Sequence, residues 1–108
     1  MQNTEEIWSL VDAKQEPFTQ LSDRVWGTPE LCYGEFQSCS AHTEMLEQQG
    51  FRVTKDVAGI PTAVMGEAGE GGPVIAILGE YDALPGLSQE AGVAEQRPLP
   101  GNGYGQCC

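Results

Sequence analysis

The chain has 108 residues, with 16 acidic side chains against five basic ones and a formal net charge of -11. That length allows one small domain with a modest core, and that charge repels phosphate backbones and anionic membrane surfaces, which argues against nucleic acid as a partner. No apolar run reaches membrane-spanning length, and the opening Met1-Gln2-Asn3-Thr4-Glu5-Glu6 lacks the basic and apolar regions of a secretory leader, so the cytoplasm is the expected setting.

Asn3 followed by Glu6 has the spacing of a capping box, and Ile7, Leu10 and Val11 then recur at helical intervals, so a first helix starts here. Pro17 falls inside the continuing pattern of Phe18, Leu21, Val25 and Trp26. Either the helix kinks there or a second one begins with proline in its first turn; the second reading is preferred. Gly27-Thr28-Pro29 closes this segment, because a residue before proline is pushed out of helical geometry. From about Glu35 to Gln49 the positions Phe36, Cys39, Met45 and Leu46 mark one face of a further helix, and Gly50 supplies a left-handed cap.

Phe51, Val53 and Val57 begin a half-exposed strand. Thr62 to Met65 and Val74 to Leu78 then read as a hairpin-like pair joined by the glycine-rich stretch from Gly66 to Pro73. That stretch has no lysine and carries two glutamates, so it is not a phosphate cradle. Val74-Ile75-Ala76-Ile77-Leu78 is apolar throughout, the pattern of an inner strand covered on both faces. Beyond Pro85 no apolar period recurs, and residues 86–108 read as irregular loop or tail. The expected class is therefore α/β, with helices followed by about three strands.

The cysteines Cys32, Cys39, Cys107 and Cys108 have neither the spacing of a structural zinc site nor that of a disulfide framework, and they read as reduced thiols. Cys32 and Cys39 are expected to be buried as small hydrophobes. His42, the single histidine, shares the spacing of Cys39, Met45 and Leu46, and it reads as a helical side chain, not as a metal ligand. The inner strand runs into Gly79-Glu80-Tyr81-Asp82-Ala83-Leu84-Pro85, which places two carboxylates at its carboxyl end, where open α/β sheets bind ligands. Spacing alone does not separate a functional carboxylate here from an acidic turn.

Taken together, Trp26, Pro29-Glu30-Leu31, Glu35-Phe36, Ser38, Leu46 and Gly50-Phe51-Arg52-Val53, followed by the run from Leu78 to Gln89, resemble metal-dependent amidohydrolases. These belong to the metallopeptidase family of the aminoacylases and auxin-conjugate hydrolases, and the resemblance is to the branch that hydrolyses aminobenzoyl-glutamate. It covers nearly all of this chain but only the opening part of a family member. It implies the amino-terminal segment, residues 1–108, of a helix-covered mixed-sheet zinc-peptidase catalytic domain, whose full-length relatives use zinc or manganese to hydrolyse an amide. Homodimers or partner subunits are expected of such proteins.

The resemblance also assigns roles. Asp82 stands where the family has an aspartate that supports the metal ligands, and Glu80 stands where distant relatives place a ligand histidine. The family's next motif carries two histidines and a metal-binding cysteine. Here the sequence reads Gly101-Asn102-Gly103-Tyr104-Gly105-Gln106-Cys107-Cys108. Cys107 or Cys108 corresponds to that cysteine, whereas neither motif histidine is present. The expected function is a fragment of an amidohydrolase that binds no metal and is inactive by itself. The alternative is a non-catalytic interaction module that completes a partner chain through an exposed sheet edge.

Overall fold

The computed structural model describes residues 3–100, and they form three helices followed by a two-stranded antiparallel sheet, an α/β arrangement. Cys107 and Cys108 lie outside the described residues.

Helix α1 spans Thr4–Ala13 and helix α2 spans Gln15–Trp26, separated at Lys14. Pro17 falls in the first turn of α2, where its missing N–H removes no helical hydrogen bond. Asn3 occupies the cap position of α1, but its side chain makes no capping hydrogen bond, so the capping box read from the sequence is not formed. The apolar stripe of α1 is also uncovered: Ile7, Trp8, Leu10 and Val11 are exposed, and the helix contributes no buried residue.

Helix α3 spans Phe36–Gln48 and packs against α2, with Arg24 and Glu44 paired at 2.9 Å across the two. The Arg24 guanidinium holds the Glu44 carboxyl below its ordinary range. Both groups are exposed, so the pair adds little to stability. The buried side of α3 differs from the sequence expectation. Ser38, Ala41 and Thr43 face inward, whereas Phe36 is exposed. Small side chains allow close approach of Val25 from α2, which is itself buried.

Gly50 ends α3 as its sequence predicts. It sits at φ 85, its N–H donates to the Glu47 carbonyl, and the Phe51 N–H reaches back to Leu46. This is the paired hydrogen-bond pattern of a Schellman motif. Gly50→Ala leaves open space around the new methyl but forces a side chain into left-handed geometry. The expected loss is about 1 kcal/mol, read as a shift in urea midpoint.

Strand β1 spans Arg52–Lys55 and pairs antiparallel with β2, Val64–Glu67, so that Val53 faces Gly66 and Thr54 faces Met65. Val53 is half-buried between exposed neighbours, as expected of a half-exposed strand. A Cβ on Gly66 would lie 2.8 Å from Leu46 Cδ2, so this glycine lets β2 rest directly on α3.

The pairing corrects the predicted hairpin, because β2 takes β1 as its partner and not residues 74–78. Val74, Ile75, Ile77 and Leu78 are 84 to 94% exposed and form no strand. A strand exists only where another backbone pairs with its N–H and C=O groups, and among the described residues none is offered to this segment. What remains of a third strand is a single parallel bridge between Leu31 and Ala83. Residues 88–99 close on themselves: Ser88 Oγ accepts from the Leu99 N–H at 3.0 Å, and Gln89 Oε1 accepts from the Arg97 N–H at 3.0 Å.

Candidate functional site

The Leu31–Ala83 bridge brings together the two stretches that carry the sequence motifs. The Ala83 N–H donates to the Glu30 carbonyl at 2.7 Å, and Ala83 is buried. Asp82 is therefore fixed from its carboxyl side by a backbone contact with residues 30–31.

Its amino-terminal neighbour is fixed as well. The Tyr81 hydroxyl donates to the Thr62 carbonyl, and its ring stacks on His42 with centroids 5.0 Å apart and planes 30° from parallel. His42 Nδ1 lies 2.9 Å from the Ser38 carbonyl; a carbonyl only accepts, so the proton sits on Nδ1. Residues 81–83 are thus pinned to the loop before β2, to the flank of α3 and to the turn before α3. Asp82 itself is half-buried while Glu80 is exposed, so the two carboxylates of the motif stand in different surroundings. No hydrogen bond or ion pair among the described residues uses the Asp82 carboxylate.

Sequence reasoning assigns no role to Glu30. Its two carboxylate oxygens accept the backbone N–H groups of Gln37 at 3.0 Å and Ser38 at 2.8 Å, which are otherwise unpaired donors in the first turn of α3. A capping carboxylate normally comes from the cap residue itself, and here that residue is Glu35, which makes no capping bond. Glu35 is only 7% exposed and Ser38 only 1%, and Glu35 Oε2 and Ser38 Oγ have no hydrogen-bond partner among the described residues. Glu30 reaches α3 from outside the local capping pattern. No spacing rule would have found it.

These groups also act on Tyr81. Burial pushes its phenol above the ordinary value, and the Cys39 thiol and the carboxylates of Glu35 and Glu30 add to the shift. Cys39 is half-buried on α3, whereas Cys32 lies in the turn before it and is exposed, contrary to the expectation that both would be buried. The reason is local: Cys32 is not on a helix, so helical spacing says nothing about its side chain.

The family resemblance implies a metal, and the donors present do not fit one. Among the described residues no three His, Cys, Asp or Glu side chains converge to hold an ion, and His42 is committed to Ser38 and Tyr81. This part of the chain does not fit a zinc or manganese centre. Two shallow clefts, of about 130 and 230 Å³, lie between α2 and α3, and their linings include neither Asp82 nor Tyr81.

The arrangement around Asp82 is an acidic corner held by the Ala83 backbone bond and the Tyr81 hydroxyl. No family model matches the chain. Among curated proteins, 44% identity over 107 residues, 94% of this chain, is found to a subunit of p-aminobenzoyl-glutamate hydrolase from Escherichia coli strain K12. The chain resembles one segment of that hydrolase subunit. It spans only 22% of the relative's length. The similarity supports a hydrolase-family origin, and the clamped residues Glu30, Tyr81 and Ala83 are the structural counterpart of the motifs that carried the resemblance in the sequence.

Proposed function

We propose that the chain is a segment of a metal-dependent amidohydrolase acting on an amide such as that of p-aminobenzoyl-glutamate, and that it has no hydrolytic activity by itself. The observation that carries this reading is the 44% identity to the hydrolase subunit across nearly the whole chain. Asp82 is the residue we assign to the supporting position, held by its neighbours Tyr81 and Ala83. A carboxylate in that position orients the groups that do chemistry and does none alone. Cys107 and Cys108 are proposed as counterparts of the family's ligand cysteine, in a motif lacking its histidines. Zinc or manganese belongs to the whole hydrolase in this reading, and a cytoplasmic setting is part of the same proposal.

The test is release of glutamate from p-aminobenzoyl-glutamate by the purified chain, with zinc or manganese added. The expected rate equals that of the metal-only blank. Sustained turnover proportional to chain concentration would overturn the assignment of inactivity.

A second reading, an interaction module that completes another polypeptide, is favoured by one specific observation. Residues 74–78 are apolar and exposed, and among the described residues no strand pairs with them. The relative is itself named as one subunit of a hydrolase, which points to a partner subunit in the same direction.

A further inference from the structure

Residues 84–99 fold back on themselves twice. Leu84-Pro85-Gly86-Leu87 carries Pro and Gly at the central positions of a type II turn, with Gly86 at φ 77 and the Leu87 N–H donating to the Leu84 carbonyl at 3.4 Å. Directly after it, the side chain of Gln89 ties together a second, longer loop. Its Nε2 donates to the Glu95 carbonyl at 2.8 Å and to the Glu90 carbonyl at 3.2 Å, and its Oε1 accepts from the Arg97 N–H at 3.0 Å. A backbone N–H only donates, which fixes the orientation of the amide. The Glu90 N–H donates to the Arg97 carbonyl at 2.9 Å, and Ser88 Oγ accepts from the Leu99 N–H at 3.0 Å. A surface loop of this size, with ends that meet and side chains of its own that close it, is an Ω-loop. Arg97 also pairs with Glu90 and Glu95, but these side chains are 45 to 78% exposed, so closure rests on the Gln89 amide and the Ser88 hydroxyl.

We propose that Ser88 and Gln89 are positioning residues: by closing residues 88–99 they return the chain toward the Asp82 corner, so that the segment carrying Cys107 and Cys108 starts out from beside Ser88. The inference deepens the hydrolase reading and rests on it, because only there do Asp82 and Cys107 serve one site. An extended chain from Ala83 to Leu99 would span about 55 Å. Two peptide steps, one tight turn and one contact between hydroxyl and amide limit that separation to about 22 Å. Ala83 is itself buried and bonded to the Glu30 carbonyl, so the near end of this path is fixed. The benefit is one of chain entropy. The chance that two points on a flexible tether meet falls with roughly the 3/2 power of its length. Closing the loop shortens the tether from Asp82 to Cys107 from about 25 residues to about 14, which makes their encounter about twofold more frequent.

The test uses the whole chain with Cys32, Cys39 and Cys108 replaced by serine and a nitroxide attached to Cys107, read as paramagnetic broadening of the Tyr81, Asp82 and Ala83 amides by NMR. Broadening is expected at all three. Gln89→Glu keeps the side-chain shape, removes both Nε2 donors and adds a carboxylate beside Glu90 and Glu95. Combined with Ser88→Ala, it should lower the broadening about twofold. Replacing residues 89–98 by Asn-Gly joins Ser88 to Leu99 through a tight turn and should restore it. A role for Gln89 in stability alone would show no such recovery. No broadening with the native loop, equal broadening in the double variant, or a loss that the Asn-Gly connection leaves in place would each overturn the proposal. Glutamate release is a separate readout: turnover by the chain overturns its assigned inactivity and leaves the positioning role standing.

Discussion

Glu30→Ala is expected to lower the stability of the chain by about 1 to 3 kcal/mol, an unusually large effect for a half-exposed acidic residue. The substitution strips acceptors from two backbone donors at once, Gln37 and Ser38, and removes a negative charge from the positive end of α3. Glu35 is placed at the cap position but makes no capping bond in the native arrangement, so it is not already sharing the load. Few apolar side chains are buried, Val25, Ala41 and Ala83 among them, so a loss of this size is a large fraction of what holds the fold. Urea unfolding followed by helical circular dichroism reads the loss directly. Glu30→Gln keeps a side-chain carbonyl acceptor and should recover part of it. The contact from the Ala83 N–H to the Glu30 carbonyl is a backbone bond and survives both substitutions. Amide exchange at Ala83 should therefore stay slower than exchange at Gln37 and Ser38 in Glu30→Ala. A midpoint within about 0.5 kcal/mol of the native chain would show that the carboxylate is not the cap.

The helices are legible in the sequence because each is encoded locally. Pro17 marks the restart of α2, and Gly50 has the one backbone conformation that ends α3 with both of its last bonds closed. The sheet is legible only in part. Val53 shows the alternation of a half-covered strand, but strand pairing is a property of two segments, and nothing in Thr62 to Met65 says that its neighbour is β1. Residues 74–78 show the limit most plainly. Five consecutive apolar residues state that burial is favourable and are silent about what provides it. Among the described residues nothing does, and the segment that reads as the best core strand is the most exposed apolar run among them.

The candidate site divides in the same way. Asp82 is legible as a candidate from the run around it, and the similarity to the hydrolase subunit supports a hydrolase-family origin of the chain. The residues that hold it do not stand out, because Glu30, Thr62 and His42 reach this corner from separate parts of the sequence. Glu35 and Ser38 belong to the same group. The cap is made by Glu30, and Glu35 Oε2 and Ser38 Oγ are buried without partners among the described residues.

Tyr81→Phe isolates the most polar of these tethers. The substitution keeps the ring that stacks on His42 and removes the hydroxyl that donates to the Thr62 carbonyl, so the expected loss near neutral pH is about 1 kcal/mol. Its larger signature lies in alkali. The unfolded phenol gives up its proton near pH 10, whereas in the folded chain burial first, then Cys39, Glu35 and Glu30, hold the proton on to higher pH. Above about pH 10 the folded state therefore binds more protons than the unfolded one, and stability falls as pH rises. Tyr81→Phe lacks this group and should show a shallower fall, although it begins from a lower stability at neutral pH. The other two tyrosines are common to both variants and cancel in the comparison. Phenolate absorbance recorded during the same titration should show one fewer late-titrating group in the variant. If the two stability curves run parallel above pH 10, the Tyr81 hydroxyl is not buried against Thr62, and the clamp on Asp82 rests on the Ala83 backbone bond and the stacking of Tyr81 on His42.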